Sequence, residues 1–242
     1  MEEKISLRTW SLCEDILHQS HVLIGGTTGA GKSTLAHSVI YGISAHPYEV
    51  MQFYAIDLKR VELATWKDLP HCREIATTPS AALSVLQTVN YIVDRRLDYM
   101  VATKSRNYGG SDLYLIIDEL AELLAVDRFA VVEGLSRIMR LGRAAKVHVI
   151  GFTQSPNRSK GGGLDALLCQ NFTSAIALRC RSAIESRQIV GVAGAEKLPL
   201  HGKGIYWSGE GIREVGIPMT DDADISFRIK WWNDNKDRRF YP

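Results

Sequence analysis

"HVLIGGTTGAGKSTLAHSVI", residues 21–40, decides the fold. The apolar run "HVLIGG" (21–26) reads as a buried strand, and helical spacing begins at Lys32 and continues to about Ile43. Between them, Gly26-Thr27-Thr28-Gly29-Ala30-Gly31-Lys32-Ser33 satisfies G-x-x-x-x-G-K-[ST] in full. Glycines let successive backbone N–H groups turn inward around phosphate oxygens, and the helix that follows adds the positive pole of its dipole. Lys32 is placed to reach the β- and γ-phosphates, Ser33 to offer its hydroxyl to Mg²⁺, and Thr34 closes the phosphate-binding stretch. ATP with Mg²⁺ is therefore the expected cofactor. The loop alone fixes where phosphate sits and leaves open what its hydrolysis drives.

Working outward, strand-like runs alternate with longer helical patterns. "EVMQFYAID" (49–57) reads as a second strand, followed by a loop and the short segment "CREIATTP". From Pro79 to about Asn107 the apolar residues recur at steps of three and four, as a helix requires. "LYLIIDEL" (113–120) is apolar until it reaches its acids, which suits a strand covered on both faces. A helix from about Arg128 to Arg143 leads to the strand "KVHVIGFTQ" (146–154). A Gly/Ser-rich loop, a short helix (164–170), the strand "TSAIALRC" (173–180) and a helix from Ala183 to Val190 follow. "GKGIYWSGEGIREVGIP" reads as a hairpin turning at Gly209 or Gly211. The alternation predicts an α/β fold, a mostly parallel twisted sheet with helices on both faces and ligands at the carboxyl ends of its strands.

A phosphate loop needs a carboxylate for its metal. Asp118 ends the run "LYLII", so the sheet is expected to bring it beside Ser33 as a metal ligand. Glu119 follows and could polarise the attacking water as a general base; the two could also be an acidic helix N-terminus. Gln154, at the end of the next strand, could sense the γ-phosphate or orient water, or be a polar loop residue.

Composition narrows the class. At 242 residues with 45% hydrophobic and 23% charged, one globular domain over 1–242 is expected, with residues 1–20 as a lead-in and 219–242 as a C-terminal helix and tail. Net charge is only +2, so the placement of charge matters more than its sum. Four scattered cysteines without a C-x-x-C pair argue for reduced thiols in a cytoplasmic protein, not a zinc site. No apolar run suits a membrane span or a secretory signal.

With these positions in place, the chain resembles the motor domain of the FtsK/SpoIIIE DNA translocases, within the FtsK/HerA group of RecA-like P-loop ATPases. The resemblance runs through "HVLIGGTTGAGKS", "AIDLKRVELATWKDLPH", "VDRRLDYM", "LIIDELAEL", "RIMRLGRAAKVHVIGFTQSP", "ESRQIVGVAGAEKL" and "GKGIYW", covering about residues 18–235. It implies a RecA-like fold, a homo-hexameric ring and double-stranded DNA as partner. Lys32, Ser33, Asp118 and Glu119 keep the parts argued above, and Gln154 matches the family's sensor glutamine. Arg143 matches the arginine that enters a neighbour's nucleotide site, although a surface arginine at a helix C-terminus fits equally well without the resemblance. Arg187 in "ESR" also matches, with no assigned part. There are departures: Leu58 stands where the family commonly has Pro, and Ser155 where it has Arg, with Arg158 or Lys160 as replacements for that charge. The family's membrane-spanning part, linker and winged-helix module have no counterpart, so septum-anchored, oriented pumping is not expected.

Between Arg137 and Arg187 stand nine basic residues against two acids. Within this stretch "SPNRSKGGG" (155–163) suits a loop that offers Arg158 and Lys160 to DNA phosphates, or a solvated loop with an ordinary basic face. Trp231 and Trp232 are expected to pack against the domain edge. Competing readings keep the ATPase and change the cargo, to protein secretion of the type VII kind or conjugative transfer coupling, or reduce the chain to a nucleotide-controlled assembly module.

Overall fold

A computed structural model describes residues 7–154, 156, 164 and 166–235. Among them, eight strands form one sheet. In chain order these are β1 (His21–Gly25), β2 (Met51–Ile56), β3 (Cys72–Ala76), β4 (Asp112–Ile117), β5 (Val147–Thr153), β6 (Ser174–Ala177), β7 (Lys203–Ser208) and β8 (Gly211–Gly216). Their spatial order is β3-β2-β4-β5-β1-β6-β7-β8. The six strands from β3 to β6 run parallel, and β7 and β8 extend the sheet antiparallel.

The helices are α1 (Leu7–Leu17), α2 (Lys32–Ile43), α3 (Pro79–Thr103), α4 (Leu120–Val126), α5 (Arg128–Ala145), α6 (Ala166–Asn171), α7 (Ala183–Val190) and α8 (Asp222–Asn235). They divide between two apolar cores, α1, α2 and α8 on one face of the sheet and α3 to α7 on the other. β4 shows why its run is continuously apolar. Leu113, Leu115 and Ile117 enter one core while Tyr114 and Ile116 enter the other.

Several boundaries differ from the sequence expectation. The short segment "CREIATTP", left without a type in the sequence, holds the parallel edge strand β3, disguised because Arg73 and Glu74 are exposed there. Within the stretch ahead of β1, α1 seats Leu12, Ile16 and Leu17 in the core, and Leu17 O accepts from the Tyr114 hydroxyl at 3.1 Å. "LYLIIDEL" is two elements, the strand ending at Ile117 and α4 beginning at Leu120. α3 stops at Thr103 because Lys104 turns left-handed, φ +53°. The hairpin turn is Gly209-Glu210, with Gly211 at φ +124° opening β8. Trp232 is buried and donates Nε1–H to Ser44 O at 2.8 Å, fixing α8 to the end of α2. No helix among the described residues is long and apolar enough to cross a membrane.

His21, the first residue of β1, ties three elements together. Its Nδ1 accepts the Val149 N–H at 3.1 Å, so the proton belongs on Nε2, which donates to Met139 O at 2.9 Å. The bond accepted from Val149 needs the neutral ring. Burial, then the charge of His148, lowers its pKa to about 4. A histidine whose folded pKa lies below its unfolded value contributes stability above about pH 6.5 and loses it as pH falls toward 4. His21→Leu should therefore cost about 1–3 kcal/mol at pH 7. It should also flatten the acid-side loss, as read from urea unfolding midpoints at pH 7 and pH 5.

Candidate functional site

The carboxyl ends of β1, β4, β5 and β2 converge on one edge of the sheet, and the loops leaving them form the site. After β1 the chain enters residues 26–31 under tight constraint. A Cβ on Gly26 would stand 2.8 Å from Leu178 Cβ, which leaves no room for a larger residue. The Thr27 N–H donates to Arg179 O at 2.8 Å, and the Gly26 N–H to Thr153 O at 3.2 Å, so β6 and β5 grip the loop from both sides. Gly29 and Gly31 take φ of +77° and +97° in open space. Gly31 caps α2 without any side-chain bond, so the first-turn amides, which no helix satisfies internally, have no side-chain cap. That cradle fits a phosphate chain.

Lys32 Nζ folds onto its own loop, donating to Gly26 O at 2.8 Å and Thr27 O at 2.9 Å. Burial lowers its pKa, opposed by Glu119 and Asp118 and reinforced by Lys59. Ser33 and Thr34 follow in the first turn of α2, half-buried.

The acids sit two strands from the loop, since β5 lies between β4 and β1. The sequence reading placed Asp118 on a neighbouring strand; the extra strand puts β4 about 10 Å from β1, twice the 4.8 Å spacing. The gap is bridged by β5. Glu119 caps α4 and takes bonds from the Thr153 hydroxyl at 3.0 Å, from the Gln154 N–H at 3.0 and 3.2 Å, and from the Ala121 N–H at 3.4 Å. On its other side, the Gln154 side-chain oxygen accepts the Thr28 hydroxyl at 2.7 Å. A hydrogen-bonded path thus runs from Glu119 through Gln154 to the tip of the glycine loop. Glu119 is thus the helix N-cap that the sequence left open as one of its two readings.

Lys59 and Asp57 complete the site and were not singled out in the sequence. Lys59 Nζ stands 3.9 Å from Glu119 and 3.5 Å from Glu122. Asp57, fully buried, shapes the loop that carries Lys59 by accepting the N–H groups of Arg60, Glu62 and Leu63 at 2.9, 3.0 and 2.9 Å. The available signal was Asp57 ending the apolar run "FYAI", as Asp118 ends "LYLII". Burial, then the charge of Asp57, pushes the Asp118 carboxyl up to about 7, with Lys59 opposing. Four carboxylates against two lysines make a site short of positive charge.

Arg143 is exposed in the last turn of α5, at the amino end of β5. Six residue steps along β5 separate that end from Thr153, about 20 Å at 3.3 Å each, so Arg143 does not reach the loop of its own chain. Arg187 is exposed on α7, away from the acids. Ser155, Arg158 and Lys160 lie outside the described residues.

A glycine loop between β1 and α2, acids after β4 and a polar residue after the strand between them define a P-loop nucleoside-triphosphatase fold. Comparison with solved proteins agrees. The conjugation coupling protein TcpA of pCW3, in its monomer form with ATPγS, superposes with a TM-score of 0.77 at 20% identity, covering 90% of this chain and 66% of that one. The cytoplasmic domain of the Thermomonospora curvata type VII secretion ATPase EccC gives 0.73 at 24% identity, covering 88% and 28%. Residues 2–114 match the FtsK/SpoIIIE family model. The DNA translocase FtsK of Tropheryma whipplei is 32% identical over 239 residues, 89% of this chain and 30% of the relative. The chain is thus similar to the FtsK/SpoIIIE family, by the family model over residues 2–114 and by its curated relatives over most of its own length. It spans about a third or less of the length of these curated relatives.

Asp118 generates a test. An acid whose folded pKa is raised contributes stability below its unfolded value of about 3.9 and loses it as pH rises through about 7. In metal-free buffer without nucleotide, Asp118→Asn should raise Tm at pH 8 and leave it nearly unchanged at pH 4, measured by differential scanning fluorimetry.

Proposed function

We propose that this chain is the ATP-hydrolysing motor domain of a double-stranded DNA translocase, working as a closed homo-oligomeric ring. The observation that carries the reading is the bonded path Glu119–Gln154–Thr28, which puts a candidate base, a candidate sensor and the phosphate loop in register. Similarity to DNA translocases over most of the chain supports DNA as the cargo.

On this reading, residues 26–34 hold the phosphates of ATP. Lys32 exchanges the carbonyls of Gly26 and Thr27 for β- and γ-phosphate oxygens, which answer its charge better than neutral acceptors do. Ser33 and Asp118 would hold Mg²⁺, which neutralises charge on the β- and γ-oxygens when bound. A cation there also favours the ionised form of Asp118. Glu119, drawn off its bonds with β5, orients and deprotonates the attacking water. Gln154 reports the γ-phosphate through its bond to Thr28. Arg143, out of reach of its own loop, serves the next subunit, which makes turnover depend on the ring. Arg158 and Lys160 would contact DNA phosphates.

ATP turnover should rise with linear duplex DNA and this stimulation should decline with salt. Lys32→Ala should abolish turnover. Arg143→Ala should still bind nucleotide while losing about a thousandfold or more in rate. Mixing the two variants should restore activity, because mixed rings contain interfaces with both an intact loop and an intact arginine. Turnover without duplex stimulation would reassign the cargo to protein, and failure to complement would remove Arg143 from the interface.

A further inference from the structure

At the opposite, amino-terminal edge of the sheet, residues of β2, β3 and β4 and the second half of α3 border an open cleft of about 390 Å³. Arg73, Arg95 and Arg96 are among the residues that line it, and none of the lining residues is acidic.

Arg96 is the anchor. It is buried, and all its bonds go to neutral acceptors. Nη1 donates to Ala145 O at 2.8 Å and Lys146 O at 2.9 Å, and Nη2 to the Ser111 hydroxyl at 3.4 Å, with the Tyr108 ring 4.4 Å beneath. Asp112, whose field supports this charge, gives its oxygens to His148 at 2.9 Å and Lys146 at 3.3 Å. A buried guanidinium with no carboxylate in contact among the described residues is a costly arrangement. The other two cations are free to turn toward the cleft. Arg73 is steadied by Nε–H donation to Gln52 Oε1 at 2.9 Å, which leaves its fork of terminal N–H groups. The one ion pair of Arg95 among the described residues, to Asp98 at 3.8 Å, stands in solvent and is weak.

We propose that this cleft binds a phosphate-bearing ligand, with the forks of Arg73 and Arg95 on phosphate oxygens and the fixed charge of Arg96 behind them. Three cations on one cleft answer more than one negative charge, and planar guanidinium forks match phosphate oxygens two at a time. The volume accommodates a nucleotide-sized group. The same chemistry comes from two sources, a phosphodiester backbone or a free phosphate compound. The site is separate from the glycine loop by the length of the sheet and does not depend on hydrolysis there.

The test uses the full chain carrying Lys32→Ala, which weakens phosphate binding at the glycine loop. Pyrophosphate and a 20-base-pair duplex are titrated separately by calorimetry at fixed salt, with and without Arg73→Gln and Arg95→Gln together. Both arginines are exposed, so Tm should be unchanged. The expected result is at least a tenfold loss of affinity for one or both probes, with Arg95→Gln alone giving part of it. Loss for pyrophosphate alone identifies a free phosphate compound. Loss for duplex alone identifies the nucleic-acid backbone. Equal affinities with and without the substitutions, for both probes, overturn the proposal.

Discussion

The two-way hydrogen bonding of Gln154 depends on one topological fact, the insertion of β5 between β4 and β1. Without that strand the acids would adjoin the glycine loop directly. With it, the hydrogen-bonded path between them passes through Gln154. The main-chain N–H of Gln154 meets Glu119 while its side chain meets Thr28, so one residue holds both ends. The Glu119 end is held by a main-chain group, whereas the Thr28 end is a side-chain bond that a change of rotamer can release.

Electrostatics around this edge are arranged for a guest. Asp57 spends both oxygens on backbone amides and gives Lys59 its position, yet its charge also bears on Asp118. Lys32 and Lys59 repel each other and are each drawn to Glu119. Such a cluster is a poor stability device. It makes sense as a place where added cations and anions improve the balance, and functional edges commonly trade stability in this way.

Most of the fold was legible from residues 21–40 and the apolar runs that follow. Strands with two buried faces, such as "LYLII", announce themselves because no polar residue interrupts them. Edge strands do not: β3 exposes Arg73 and Glu74 and was hidden for that reason. α1 has helical apolar spacing, with Leu12, Ile16 and Leu17 in the core, but it carries no motif and precedes the first strand. In the site, Lys32, Ser33, Asp118, Glu119 and Gln154 were readable because each ends or follows a strand in a motif. Lys59 was not, since its partners Glu119 and Glu122 are about sixty positions away and only the third dimension joins them. The intervening strand was likewise invisible, because strand order is not written in strand spacing.

Arg96 has a mechanical meaning beyond its charge. By holding the carbonyls of Ala145 and Lys146 it bolts the end of α5, where Arg143 projects, to α3. His21 fastens α5 to β1 one turn earlier, through Met139. The helix end is thereby part of the same solid as the strand that carries the glycine loop. These bonds couple the end of α5 to the sheet at two points, which resists local bending between the two edges, about 20 Å apart. Two neighbouring bodies of this kind would exchange force as gear teeth do, by displacement and not by deformation.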